Sequence, residues 1–346
     1  MMTFAKRISF ALNVISLLLV CAVYTQAQEA EPSIKIESTL VSVPVIVSDR
    51  SGRYIAGLKQ ADFTLYKDNV KQPIAFFTAE EEPLNIALLL DTSQSAKSVL
   101  DDIKDRAKDF LKQLRPQDKA IVVTFDYDVH ILSPLTANRK ELEKAVKRAE
   151  IGDYVGTTLR DALAAVFNDA FKSIQGRKAI ILLTDGKDHG SRIPVDELLD
   201  MAEESDTMIY SIFYTTKMPT YIQRMPGRGR LEPFPRRGRG GRFPLLPEAS
   251  AQQFPDRQQR RQRREQMNQE AAEFLEELSN ISAGRFYRSE VKDLQKQFEL
   301  IADELRHQYR LGFYPEGDRR EGTLHRLRVE VASTDAVVRA RRSYID

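Results

Sequence analysis

The chain has 346 residues, 42% hydrophobic and 29% charged, a balance that excludes whole-chain disorder, collagen and a polytopic membrane protein and leaves room for two domains. Lys and Arg number 52 against 50 Asp and Glu, a formal net charge of +2. The one cysteine, Cys21, lies in the leader described next, so removal of that leader excludes disulfides, Fe–S clusters, zinc–thiolate sites and cysteine nucleophiles.

Residues 1–27 read as an export signal. Lys6 and Arg7 precede an apolar run over residues 8–23, and Thr25-Gln26-Ala27 offers small residues to a signal peptidase. The run is short for a membrane span, and no second apolar span follows. Cleavage after Ala27 is expected, with retention as an N-terminal anchor the alternative. The chain beyond it is expected to be exported to a periplasm, a cell surface or the medium.

Residues 34–80 read as all-β. Leu40, Val41, Val43, Val45, Ile46 and Val47 are β-rich and partly alternating, and Asp49-Arg50-Ser51-Gly52 is a turn signal. Phe63, Leu65 and Tyr66, then Ile74, Phe76 and Phe77, predict two more strands with a hairpin turn at Lys67-Asp68-Asn69. From residue 84 the character changes. The runs LNIALLL (84–90), AIVVTF (120–125), KAIILL (178–183) and MIYSIFY (208–214) are continuous apolar strands of the kind buried on both faces of a parallel sheet. Between them lie helical periodicities. Val99, Ile103, Ala107, Leu111 and Leu114 mark one, and residues 141–150, 161–174 and 195–205 carry the others. This alternation predicts an α/β fold with a doubly wound, mostly parallel sheet.

Residues 217–265 break the pattern, with 13 Lys and Arg against 4 Asp and Glu among abundant Pro, Gly and Gln. This reads as a disordered basic insert within an α/β domain spanning 84–308. It leaves from the end of a central strand, on the side where that sheet would bind ligands. The α/β pattern resumes with a helix at 268–279, a strand at 284–288 and a helix at 294–307. Residues 309–346 turn β again, with strands at 309–314, 324–331 and 336–341. The economical arrangement pairs 34–80 with 309–346 as a small β-sandwich into which the α/β domain is inserted.

The chemistry lies at strand ends. Asp91-Thr92-Ser93-Gln94-Ser95 closes the first buried strand, Thr184-Asp185-Gly186 closes the KAIILL strand, and Thr157 precedes a helix. In an open α/β sheet, ligands bind at the carboxyl ends of the strands near a topological switch point. Two carboxylates and three hydroxyls from three loops are hard oxygen donors, suited to Mg²⁺, Mn²⁺ or Ca²⁺. Asp91-x-Ser93-x-Ser95 read alone is equally a turn with a helix N-cap.

With Thr157 in a Gly-Thr-x-x-x-x-Ala-Leu setting and Asp185 in Thr-Asp-Gly, the set resembles the metal-ion-dependent adhesion site of von Willebrand factor type A domains. The resemblance covers roughly 84–216 and 268–308. Short motifs in the flanks, Asp49-Arg50-Ser51-Gly52, His325-Arg326-x-x-Val329 and Arg339-Ala340-Arg341-Arg342-Ser343-Tyr344, resemble secreted type A-related proteins of Acidobacteria. The resemblance implies one divalent ion, Mg²⁺ foremost. Ser93 and Ser95 would hold it directly, Thr157 directly in the ligand-bound state, and Asp91 and Asp185 directly or through water. A partner's Glu or Asp carboxylate would complete the shell. That chemistry is binding without turnover.

Asp188 and His189, in Asp185-Gly186-Lys187-Asp188-His189-Gly190, are candidates for the ligand face. His130, His307 and His325 lie on separate elements and read as ordinary surface or core residues. Asp126 and Asp128 read as a hairpin rim rather than a second acidic site. In the insert, Arg228, Arg230, Arg237, Arg239, Arg242, Arg260, Arg261, Arg263 and Arg264 read foremost as a solvated loop with no dedicated partner, and otherwise as a site for an anionic lipid, glycan or acidic protein. Export and few aromatics argue against nucleic acid. No Gly-x-Ser-x-Gly elbow, His-Glu-x-x-His helix or phosphate-binding Gly-x-x-x-x-Gly-Lys occurs. The expected function is an exported, metal-dependent adhesion or interaction module and not an enzyme. An envelope scaffold using the same face constitutively is the alternative, and a hydrolase would need an unfamiliar site.

Overall fold

The structure is a computed structural model and describes residues 40–51, 53–79, 82–215, 257–315, 322–333 and 335–345. The leader, residues 1–27, lies outside them. Among the described residues no helix is long and apolar enough to cross a membrane.

The chain opens with four strands, β1 (Val41–Ser48), β2 (Phe63–Lys67), β3 (Val70–Gln72) and β4 (Phe76–Thr78). Asp68 (φ 49°) and Asn69 (φ 67°) both take left-handed backbone, the requirement of a two-residue turn matched to strand twist. That tight turn makes β3 the hairpin partner of β2. The expected partner, the Phe76–Thr78 stretch, belongs instead to the other sheet of the sandwich. Next come β5 (Leu84–Asp91), α1 (Leu100–Gln113), β6 (Lys119–Phe125), β7 (Val129–Ile131), α2 (Arg139–Lys147) and α3 (Leu159–Ala165). The helix expected over 161–174 is interrupted: α3 passes into a single π turn, Val166–Ala170. Then follow β8 (Arg177–Thr184), α4 (Val195–Glu204), β9 (Met208–Tyr214), α5 (Arg257–Ile281), β10 (Arg285–Ser289) and α6 (Leu294–Arg306). The chain closes with β11 (Tyr309–Phe313), β12 (Leu324–Val331), β13 (Val337–Ala340) and β14 (Ser343–Ile345).

The central sheet has the order β10-β9-β8-β5-β6-β7. Every neighbouring pair is parallel except β6 and β7. Strand β5 explains why its sequence is apolar throughout. Ile86, Leu88 and Leu90 pack with Ile103 and Phe110 of α1 and Phe298 of α6 on one face. Ala87 and Leu89 pack with Leu159 and Leu163 of α3, Leu198 of α4 and Leu275 of α5 on the other. Strand β5 is flanked by β6 and β8, so the strand order reverses there and a crevice opens at its carboxyl end. Asp91 sits at that end.

Two four-stranded antiparallel sheets, β13-β1-β11-β4 and β14-β12-β2-β3, lie beside the α/β portion. Each combines strands from both ends of the chain. Their shared core includes Val43, Val45, Leu65, Tyr309, Phe313 and Tyr344.

Buried arginines join the two layers. The chain leaves the sandwich just before β5 and returns to it just after α6. Arg177, 3% exposed, binds both crossings. It donates to Glu82 O at 3.1 Å, to Gln308 Oε1 at 3.0 Å and to Leu305 O at the end of α6. Arg339 bridges Glu304 and Gly284 O, and Arg341 donates to Glu203 O at the end of α4. Burial lowers the Arg341 guanidinium to about 10. Arg177→Met would orphan two buried acceptors and one part-buried acceptor and is expected to cost about 3 kcal/mol, read as a lower denaturant midpoint.

The basic insert needs one correction. Residues 257–265, expected to be disordered with the rest of 217–265, form the first turns of α5, which therefore starts eleven residues earlier than the helix expected at 268. Arg, Gln and Glu are good helix formers, and Pro255 is the last proline before a stretch free of Pro and Gly that runs through Ile281.

Candidate metal centre

Both oxygens of Asp91 are committed to positioning. Oδ1 accepts from the Ser93 backbone N–H at 2.9 Å, which folds the loop tightly behind β5. Oδ2 accepts from Thr184 Oγ1 at 2.7 Å, which ties the ends of β5 and β8 together. The turn brings Ser93 Oγ within 2.9 Å of Ser95 Oγ, so two hydroxyls converge beside a carboxylate. Asp91, Ser93, Thr157 and Asp185 are buried and Ser95 is half-buried.

The loop carrying Thr157 is fastened on three sides. Thr158 donates its N–H and its hydroxyl to Asp126 O, the His189 N–H donates to Thr157 O, and the Gly152 N–H donates to Thr92 O. Asp126 is the residue that sequence reasoning undervalued. It is 6% exposed, accepts from Thr92 Oγ1 at 3.1 Å and also takes the Asp128 N–H. It is a bracket between the loops, whereas Asp128 is exposed. The partners that make it a bracket, Thr92 and Thr158, lie more than thirty residues away in sequence, so no local pattern marks them.

Asp185 directly follows β8. Thr184 Oγ1 accepts the Gly186 N–H at 2.9 Å, and Gly186 takes φ +72°. A Cβ there would stand 2.9 Å from Ala271 Cβ of α5, so glycine is required both for the turn and for the helix contact. Asp185 Oδ2 lies 2.6 Å from Lys187 Nζ.

Burial, reinforced by the charge of Asp185, pushes the Asp91 carboxyl up to about 6. The Tyr214 hydroxyl at the end of β9 is buried without a hydrogen-bond partner among the described residues. Burial first, then the charges of Asp91 and Asp185, push its titration far up. The donor set fits a hard divalent cation: carboxylates and hydroxyls only, two buried negative charges close together, and an unpartnered hydroxyl beside them for a water. No group of three or more His, Cys, Asp or Glu is gathered among the described residues. The mixed hydroxyl and carboxylate set is therefore the candidate.

A pH dependence follows. A cation held at Asp91 would compete with its proton, so divalent-ion affinity is expected to hold above pH 7 and to fall as pH drops through about 6. Titrations of ion into protein at stepped pH would read this. The folded value lies above the ordinary one, so between about 4 and 6 the ion-free fold gains stability from this group as pH falls.

Asp188 and His189 stand on the rim. The Asp188 carboxylate is consumed internally, accepting from the Arg160 backbone and side chain and from Ser191. Burial opposes its ionisation, but the bonds from Ser191 and Arg160 prevail and hold it below the usual range. His189 is exposed. A groove of about 310 Å³ begins here, between the 186–189 loop and α5, lined by Arg160, Lys187, His189, Val195, Met267 and Phe274. The α5 residues before Ala271 continue past the carboxyl edge of the sheet for about 21 Å. They carry exposed Arg261, Arg263 and Arg264, and Arg260 lies on the same helix. Arg228, Arg230, Arg237, Arg239 and Arg242 lie outside the described residues.

A doubly wound sheet with a carboxylate and hydroxyl cluster at its switch point defines the class of this domain. Residues 85–226 match the family model of the von Willebrand factor type A domain, and the chain carries a domain of that family. An uncharacterized protein of Borreliella burgdorferi is 27% identical over 136 residues, which cover 37% of this chain. The match spans 40% of that relative's length. Similar solved structures include proximal thread matrix protein 1 from the mussel byssus (TM-score 0.46, 15% identity, 67% of this chain and 48% of that one). That protein is also described with zinc in its MIDAS motif. BatB from Bacteroides thetaiotaomicron gives a TM-score of 0.42 at 18% identity, covering 65% of this chain and 97% of that one. The vWF domain of the type V pilus tip protein Mfa5 from Porphyromonas gingivalis gives 0.43 at 12%, covering 69% and 98%.

Proposed function

We propose that the protein is an exported interaction module. Its type A domain holds one divalent cation, Mg²⁺ foremost, and the face around that ion binds an acidic side chain of a partner protein. The observation that carries this reading is the arrangement behind β5. Asp91 is pinned by Ser93 and Thr184, two hydroxyls converge beside it, and Asp185 is close enough to raise its titration. A divalent ion bound by so many uncharged oxygens would remain electron-poor and attract a carboxylate from outside. The chain's own residues would hold that ion in a fixed place, since each loop is bracketed by the others. The exposed arginines of α5 favour an acidic partner surface. The export signal over residues 1–27 supports a place outside the cytoplasm, and none of the recognised catalytic motifs is present.

The test is capture of envelope or matrix proteins by the immobilised mature protein, in Mg²⁺ and after addition of chelator. Release by chelator, together with no capture by an Asp91→Ala, Ser93→Ala double variant, is the expected result. A complex that survives chelator would instead mark a constitutive scaffold, and turnover on a substrate panel would mark an enzyme.

A further inference from the structure

Two carboxylates are buried together at the centre, and one of them already has a cation. Gly186, in left-handed backbone, folds the chain back on itself. Lys187, two residues beyond Asp185, thereby returns its ammonium to Asp185 Oδ2 at 2.6 Å, with only 9% of its side chain exposed. A lysine tethered so closely has a high effective concentration at that oxygen. The same side chain lines the groove beside the centre, where Glu270 of α5 is another lining residue. The ammonium therefore borders the surface where a partner's acidic group would arrive.

We infer that Lys187 is an internal counter-cation that competes with the divalent ion for Asp185 and so sets the affinity of the centre for that ion. The inference rests on the proposed metal reading and deepens it. With Lys187 on Asp185, the buried carboxylates are partly neutralised without metal, and an incoming ion must displace a charge-assisted bond. Once displaced, the ammonium turns to the groove and joins the positive surface offered to an acidic ligand. Ion and acidic ligand then favour one another, because the ion frees the ammonium from Asp185 and the ligand pairs with the freed ammonium.

The experiment titrates Mg²⁺ and Mn²⁺ into wild type, Lys187→Met, Lys187→Gln and Lys187→Arg by calorimetry, with melting temperatures read in chelator and in saturating ion. Lys187→Met and Lys187→Gln are expected to bind the ion at least about tenfold more tightly. They should melt lower than wild type in chelator and show a larger rise with ion. Lys187→Arg should stay near wild type in affinity. A purely packing role would give the lower melting temperature without tighter binding. Wild-type or weaker affinity in both neutral variants would overturn the inference while leaving the metal centre standing. Absence of any ion response in wild type and all variants would overturn the metal reading, and this inference with it. Lys187→Gln can keep a hydrogen bond to Asp185, so it guards against a fold lost in Lys187→Met.

Discussion

Asp91→Ala is expected to weaken divalent-ion binding by more than a hundredfold while changing the melting temperature in chelator only slightly. The two effects separate because Asp91 plays opposing parts. Its carboxylate is fully buried near Asp185, and that environment makes its charge costly, as the value near 6 records. Alanine relieves the repulsion but removes the acceptors for the Ser93 N–H and the Thr184 hydroxyl. For the ion-free fold these changes offset one another. For the ion they add, since the variant loses a negative ligand and the brace that sets Ser93 beside Ser95. Supporting residues alone commonly change metal affinity 10- to 100-fold, so loss of a residue that is both ligand and brace should exceed that range, to about 100-fold or more. Calorimetry would show the lost affinity. Melting curves would show that the ion-induced rise, required of any ligand specific to the native state, has disappeared.

Gly284→Ala is expected to prevent accumulation of folded protein. A Cβ on Gly284 would overlap Ile209 O and stand 2.5 Å from Ile209 C. Both are backbone atoms of β9, which is hydrogen-bonded to β8 on one side and β10 on the other. No side chain is there to move aside, so β10 must leave the sheet or β9 must shift. Either change also disturbs the Arg339 bond to Gly284 O, one of the links between sandwich and α/β portion. The cost should exceed about 4 kcal/mol, beyond the usual range for a single substitution. Soluble yield and circular dichroism of the variant would check it. A folded variant with near-wild-type stability would show that β9 and β10 are spaced more widely here.

The α/β portion was legible because its signals are strong and local. LNIALLL and KAIILL are short, apolar throughout and followed by turn signals, as strands covered on both faces are, and the Asp-x-Ser-x-Ser and Asp-Gly signals fall at their ends. The hairpin over β2 and β3 was harder, since Val70–Gln72 is short and polar and the aromatic Phe76–Thr78 looked the better partner. The start of α5 was hidden because its first turns lack an apolar stripe. Five arginines between residues 257 and 264 resemble the low-complexity stretch before them, although the absence of Pro and Gly was a usable signal. Arg177, Arg339 and Arg341 were not distinguishable from surface arginines. Their role depends on where helix carbonyl ends meet the sandwich, which only the assembled fold defines. Asp126 likewise acquires its meaning from Thr92 and Thr158, both distant in sequence.

On the proposed reading, the loops behind β5 and β8 hold one divalent cation through Asp91, Ser93, Ser95, Thr157 and Asp185. Anomalous diffraction from crystals grown with Mn²⁺ at neutral pH tests it most directly. A single peak is expected within coordination distance of Ser93 Oγ and Ser95 Oγ, absent from crystals of the Asp91→Ala, Ser93→Ala double variant. A wild-type map at saturating Mn²⁺ with no peak there, or with its one strong peak elsewhere on the chain, would contradict it.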